Sequence, residues 1–414
     1  MATRTLDEAR SAVKSACGDV RDAGTSDDVD GVTPSLVARP ASTEQVADVM
    51  RAAASHGLAV VPRGHGTKLS WGRPPERADL VVDLSRMDAV LDHASGDLIV
   101  EAQAGAGLAD VQRAVAIAGQ RLSVDETVPG ATVGGTLATA ASGPGRLLSG
   151  TVRDLLIGVT VVRADGVVAH AGGRVVKNVA GYDLGKLVVG SFGTLAVVTE
   201  AVFRLHPIPA ARSLVTRDVA TPAEAQRLVQ AVLHAQVVPS AVEIRWGDGR
   251  GAVSVLLEGR ETGVRARTAA TVALLGDGAT TATGDLPDDW SRYPWHGTPA
   301  TALKATFAVS GLERVLADAT AGGDRIDLRG SAGAGVTYLA VHETDVGAVA
   351  ALVERLRRTC ASLGGALVVL DGPADVKAAV DSWGPVPALD LMRRVKHQFD
   401  PARTLSPGRF VGGI

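Results

Sequence analysis

The chain has 414 residues, 46% apolar and 21% charged, with a formal net charge of −3 and no block of like charge. That length exceeds one ordinary core, so two domains are expected, and the composition is that of a buried globular protein. Nothing in it suggests a basic nucleic-acid groove, a polybasic membrane patch or an apolar run of about 18 residues, so neither nucleic-acid binding nor direct membrane insertion is expected. The only cysteines are Cys17 and Cys360. Two distant thiols neither supply the four ligands of an iron–sulfur cluster nor form a CxxC pair. Met1 to Arg10 lacks a basic patch followed by an apolar stretch, so a cytoplasmic protein with reduced thiols is expected.

In chain order, Ser35–Arg39 reads as a short strand. Glu44–Ala54 reads as a helix, because Val46, Val49, Met50 and Ala53 recur at helical spacing, with Thr43 as its cap. Gly57 stops it, and Leu58–Pro62 is a second strand running into Gly64-His65-Gly66-Thr67. Strands follow at Leu80–Leu84 and Leu98–Ala102, then a helix over Leu108–Ala118. A β region covers Leu155–Ala171, turning at Asp165-Gly166, and an apolar strand covers Leu195–Leu205.

After about Ile208 the pattern changes to strand Ser213–Arg217, helix Pro222–His234, strands Ala241–Trp246 and Val253–Glu258, and helix Val264–Leu275. Gly276–Thr301 reads as a loop. A similar set follows: strand Ala305–Ser310, helix Gly311–Ala321, strand Thr337–His342 and helix Val346–Leu363. Two such sets predict an antiparallel sheet with helices on one face. The tail is a basic helix from Leu389, then Phe399-Asp400-Pro401 and Ser406-Pro407-Gly408-Arg409.

Three glycine-rich blocks carry the chemistry. Pro62-Arg63-Gly64-His65-Gly66-Thr67-Lys68 ends a strand, where closely spaced glycines let successive N–H groups converge on an anion; a turn is the plainer reading. Pro129-Gly130-Ala131-Thr132-Val133-Gly134-Gly135-Thr136 leads through Ser142-Gly143-Pro144-Gly145-Arg146 to Arg153-Asp154. Its small residues would let a flat ring or a second phosphate face lie close, and its interleaved valines are not linker composition. The third block runs from Gly173 through Lys177-Asn178-Val179-Ala180-Gly181-Tyr182-Asp183 to Gly193-Thr194-Leu195. It is neither a P-loop nor a Rossmann fingerprint.

In this order and spacing the three blocks resemble the FAD domain of the vanillyl-alcohol-oxidase-like (PCMH-type) flavoproteins. Within that group the wording is most similar to the GlcE-type subunit of glycolate oxidase. The resemblance implies an α+β protein. Its PCMH-type FAD-binding domain over 1–208 would have two α/β subdomains, about 34–95 and 96–208. A smaller α+β cap would span 209–375, and a tail, 376–414, would return to the FAD domain.

It further implies that Pro62, Arg63, Gly64, His65, Gly66 and Thr67 wrap the FAD pyrophosphate. Pro129, Gly130, Thr132, Gly134 and Gly135 would line the flavin and diphosphate. Ser142, Gly143, Arg153 and Asp154 would hold the second face, while Gly193 and Val197 would lie near the adenine and ribose. Lys177 and Asn178 would approach the flavin ring. Relatives with covalently attached FAD carry the histidine about where Thr67 stands, so noncovalent FAD is expected.

The implied reaction is oxidation of a small 2-hydroxy acid, glycolate to glyoxylate, with electrons passing through FAD to an iron–sulfur subunit beside a paralogous FAD subunit. An accessory electron-relay role is the alternative. Any membrane association would be peripheral, at the inner membrane through those partners. No metal is expected, since His234, His296 and His342 stand isolated. No catalytic base is readable; Lys177 and His342 are the candidates.

Overall fold

The computed structural model describes residues 2–174, 183–323 and 325–414. The chain packs as two compact units, Met1–Ala141 with Thr151–Pro207 and Pro385–Ile414, and Ser142–Gly150 with Ile208–Gly384. The fold is the mixed α+β, PCMH-type FAD-binding fold expected from the sequence. The divisions fall at 207/208 and 384/385, and residues 142–150, read in sequence with the FAD segment, pack with the second unit.

The first unit contains a four-stranded sheet in the spatial order Val20–Asp22, Leu36–Ala38, Leu80–Asp83, Val60–Arg63. The last three strands run parallel. The helix Thr43–Ser55 connects Leu36–Ala38 to Val60–Arg63, and Leu80–Asp83 lies between those two strands rather than beside them. Val46, Val49, Met50 and Ala53 form the helix's buried face. Its cap is Ser42, which accepts from the Gln45 amide at 3.2 Å. Thr43 is the first helical residue, not the cap, because the Gln45 side chain reaches back to the Ala41 amide and fixes the start one residue earlier.

A five-stranded antiparallel sheet follows, ordered Val90–Ala94, Ile99–Gln103, Val197–Arg204, Leu156–Val162, Val168–Gly172. One core joins the two sheets, with Met50, Leu80, Val100 and Phe203 all buried within it. The tail belongs to this unit. After the helix Leu389–Phe399, Thr404 to Ser406 run alongside Val60, whose N–H donates to the Thr404 carbonyl at 2.7 Å. The Ser406 N–H donates back to the Val60 carbonyl at 2.8 Å. Buried Lys396 fastens that segment by donating to Asp400 at 2.6 Å and to the carbonyls of Thr194 and Leu405 at 2.7 and 2.9 Å.

The second unit is built on one eight-stranded, wholly antiparallel sheet. Four strands come from residues 211–283 and four from 301–371, and the halves meet where Ala241–Gly247 pairs with Ile326–Ser331. The two sets seen in sequence are therefore two halves of one sheet. Helices Pro222–Leu233, Glu261–Leu275, Leu312–Thr320 and Val346–Ser362 follow their expected ranges closely. Three strands were not expected: Thr280–Thr283, Ile326–Ser331 and Ala366–Asp371. The expected strand Ala305–Ser310 is instead Thr301–Thr306, because Val309–Gly311 turns into the next helix. Among the described residues no helix is long and apolar enough to cross a membrane.

Candidate functional site

The strand Val60–Arg63 ends in the loop Gly64 to Lys68, which borders a cleft of about 770 Å³ within the first unit. Loop and cleft are shaped by close backbone approach. A Cβ at Gly64 would collide with the Thr132 hydroxyl, and Gly66 has a φ of +76°, a left-handed conformation that favours glycine. Across the cleft, Thr132 caps the short helix Val133–Thr139 by accepting from the Gly135 amide at 3.2 Å. A Cβ at Gly134 would lie 2.9 Å from the Ala104 Cβ, so only glycine lets the helix sit this close to the five-stranded sheet.

The two glycine segments offer different chemistry. In the helix, the N–H groups of Val133, Gly134 and Thr136 donate to the carbonyls of Ala106, Ala104 and Thr132. With Gly135 bound to its own cap, the first turn has no amide to spare. In the loop, the amides of Gly64, His65, Gly66, Thr67 and Lys68 donate to no group among the described residues. Such a run of convergent free N–H groups suits an anion.

The cations around the cleft are unequally engaged. Arg63 donates to Asp27 at 2.9 Å and to Asp83 at 2.6 Å, so its charge is taken up behind the strand. Arg409 donates to the carbonyls of Leu69 and Trp71 at 2.6 and 2.9 Å and so binds the tail to the loop. Lys68 is buried, at 7% exposure, and reaches only the Thr67 hydroxyl, at 3.3 Å. Burial pulls its ammonium down to about 8, partly opposed by the charge of Glu126. Small and apolar groups complete the walls: Ala104, Ala138, Ala196, Val198 and Phe192, the last held by its amide on the Ala138 carbonyl at 2.9 Å.

The sequence-derived site residues divide accordingly. Pro62, Arg63, Gly64, His65, Gly66, Thr67, Thr132, Gly134, Gly135 and Gly193 line the cleft together. Gly130 lies at its rim, accepting from the exposed His65 ring at 3.0 Å, next to Pro129. Val197 is fully buried between Ala196 and Val198, which do line the cleft.

Arg153 and Asp154 are exposed and outside it; Asp154 instead caps a short helix by accepting from Thr151. Ser142 and Gly143 belong to the second unit, where their carbonyls accept from Arg146 at 2.6 and 3.3 Å. His342, also in that unit, is paired with Asp327 at 2.9 Å. Lys177 and Asn178 lie outside the described residues.

Lys68, Ser191, Phe192 and Arg409 line the cleft without having been assigned there from sequence. Lys68 had a readable signal, a cation directly after a glycine loop. The others are joined to the loop only by the fold.

Residues 34–172 match the FAD binding domain family. The cofactor is FAD. Residues 332–410 match the C-terminal domain of FAD linked oxidases. The cleft fits FAD by its own geometry: five free amides and a buried cation for a diphosphate, and small-residue walls on both sides.

An uncharacterised FAD-linked oxidoreductase of Mycobacterium tuberculosis is 36% identical over 174 residues, 42% of this chain and 38% of that one. Glycolate oxidase subunit GlcD of Bacillus subtilis is 32% identical over 51% of this chain and 45% of its own length. Subunit GlcE of Escherichia coli is 32% identical over 50% and 58% respectively. The chain thus spans less than two thirds of each of these relatives. Among solved structures, alkyldihydroxyacetonephosphate synthase superposes with a TM-score of 0.69 at 18% identity, covering 91% of this chain and 77% of that one, which speaks to fold alone.

Proposed function

We propose that the chain is an FAD-dependent oxidoreductase acting on the CH–OH of a small 2-hydroxy acid, working as the GlcE-type subunit of a glycolate oxidase-like complex. The observation that carries this reading is the cleft, in a chain whose curated relatives include glycolate oxidase subunits GlcD and GlcE and a D-lactate dehydrogenase. When bound, FAD supplies a two-electron acceptor for the hydride leaving the alcohol carbon, so that glycolate becomes glyoxylate.

The chain's own residues hold that acceptor. The loop amides and Lys68 take the diphosphate, and the tail, through Arg409, keeps the loop in place. The FAD is noncovalent, since the loop histidine His65 is turned to the Gly130 carbonyl and Thr67 stands at the attachment position. For the hydroxyl proton we put forward Lys177 and His342, the latter oriented by Asp327. Two cysteines cannot bind a cluster, so the electrons leave through a separate iron–sulfur subunit, beside a paralogous FAD subunit. The protein is placed in the cytoplasm, meeting the inner membrane only through those partners.

A second reading, an accessory relay whose paralogous partner does the substrate chemistry, draws on the isolation of the cap histidines. His234 is turned to its own helix, and His342 faces a single carboxylate. The test is anaerobic addition of glycolate or D-lactate to the FAD-loaded chain. Bleaching of the flavin band supports the catalytic reading; an unchanged spectrum overturns it in favour of the relay. In a denaturing gel no flavin fluorescence should stay with the polypeptide.

A further inference from the structure

The geometry points to Lys68 as the cationic ligand of the FAD diphosphate, the one side chain of the cleft reserved for that charge. The inference rests on FAD as the cofactor, not on the choice of substrate. Lys68 is 93% withdrawn from solvent, yet among the described residues no carboxylate forms an ion pair with it. A buried ammonium without a counter-ion is costly, and such groups persist where a ligand supplies the missing charge.

The surroundings say which charge that is. Lys68 closes the run of five free amides, and a Cβ at Gly135 would lie 3.9 Å from its Nζ, so the ammonium stands between the loop and the opposite helix. The other charges facing it are already spoken for. Arg63 is held by Asp27 and Asp83, Arg409 by two carbonyls, and Glu126 by the Gly130 amide at 2.9 Å. The remaining titratable neighbour, His65, is turned to the Gly130 carbonyl. A doubly charged diphosphate entering this gap meets one mobile cation and a fixed set of N–H donors.

The same arrangement makes two predictions of opposite sign for Lys68→Met. Without cofactor, the variant loses an uncompensated buried charge and should melt at or above the temperature of the wild-type apoprotein. With cofactor, it should bind FAD about ten- to a hundredfold more weakly, the value of one charge-assisted contact. A lysine that merely packs the loop would instead lower the apoprotein melting temperature and leave FAD affinity nearly untouched.

The experiment titrates FAD and, separately, ADP into the apoprotein of wild type, Lys68→Met and Lys68→Arg, with melting temperatures recorded throughout. ADP carries the diphosphate without the flavin. Equal weakening of FAD and ADP in Lys68→Met, with recovery in Lys68→Arg, supports the assignment. Weakening of FAD with ADP unchanged overturns it and moves the lysine to the flavin ring. Unchanged binding of both also overturns it. A wild-type chain that takes up no FAD would be a failure of the cofactor reading, seen before any variant is compared.

Discussion

At the scale of single residues, Arg63 shows how a side chain can border a site and serve something else. Its guanidinium sits between Asp27, only 2% exposed, and Asp83, while Arg21 reaches Asp27 from the half-exposed side. Hydrogen bonding from Arg21, from the Gly24 amide and from Arg63 holds the Asp27 carboxyl well below the usual carboxylate range. A carboxylate depressed in the folded state contributes stability above its unfolded value near 4, and that contribution is lost as pH falls through the folded value. Asp27→Asn should therefore cost about 2–3 kcal/mol at neutral pH, at the low end for a buried pair because Arg21 is half exposed. It should also flatten the loss of stability in acid, both readable in urea melts at pH 7 and pH 3. Lys68 works in the other direction. Its lowered folded value means that the apoprotein gains stability from this group as pH rises from about 8 toward the ordinary lysine range.

At the scale of elements, the site depends on two backbone segments touching, one a loop and one a capped helix. Gly64→Ala would drive a methyl into the Thr132 hydroxyl and push the two apart. FAD should then no longer protect the amides of residues 64–68 from hydrogen exchange, protection that the wild-type loop should show on loading. Elements of this kind were legible in the sequence where one signal decided them. The loop announced itself by glycines after a strand, and the helix Thr43–Ser55 by its apolar spacing. Others were not, because their signal lies in the partner strand. Ile326–Ser331 carries Asp327 and Arg329 on its open face and a glycine near its end, and it becomes a strand by lying between two others. Gly134 and Gly135 looked like phosphate ligands, yet the amides of that turn are consumed by Ala104, Ala106 and the Thr132 side chain, a contact 30 residues away in part and invisible to local pattern. Ser142 and Gly143 sit directly after the second block but fold with the other unit.

At the scale of the whole molecule, each unit closes its own core, and the first does so with a segment from the far end of the sequence. Thr404 to Ser406 complete the edge at Val60, and Arg409 holds Leu69 and Trp71 across a separation of 340 and 338 residues. Removing residues 400–414 should abolish FAD uptake and not merely weaken it, because the strand that aims the loop loses its neighbour while the loop loses its clamp. A flavin absorbance spectrum of the purified truncation would decide this; a yellow protein with wild-type affinity would contradict it.

That clamp also sets a clock. A ribosome adding about 5–20 residues per second needs roughly 20–70 seconds to travel from Leu69 to Arg409. During that interval the pyrophosphate loop exists as nascent chain without its fastening, so the cofactor is captured late, after most of both units has been made.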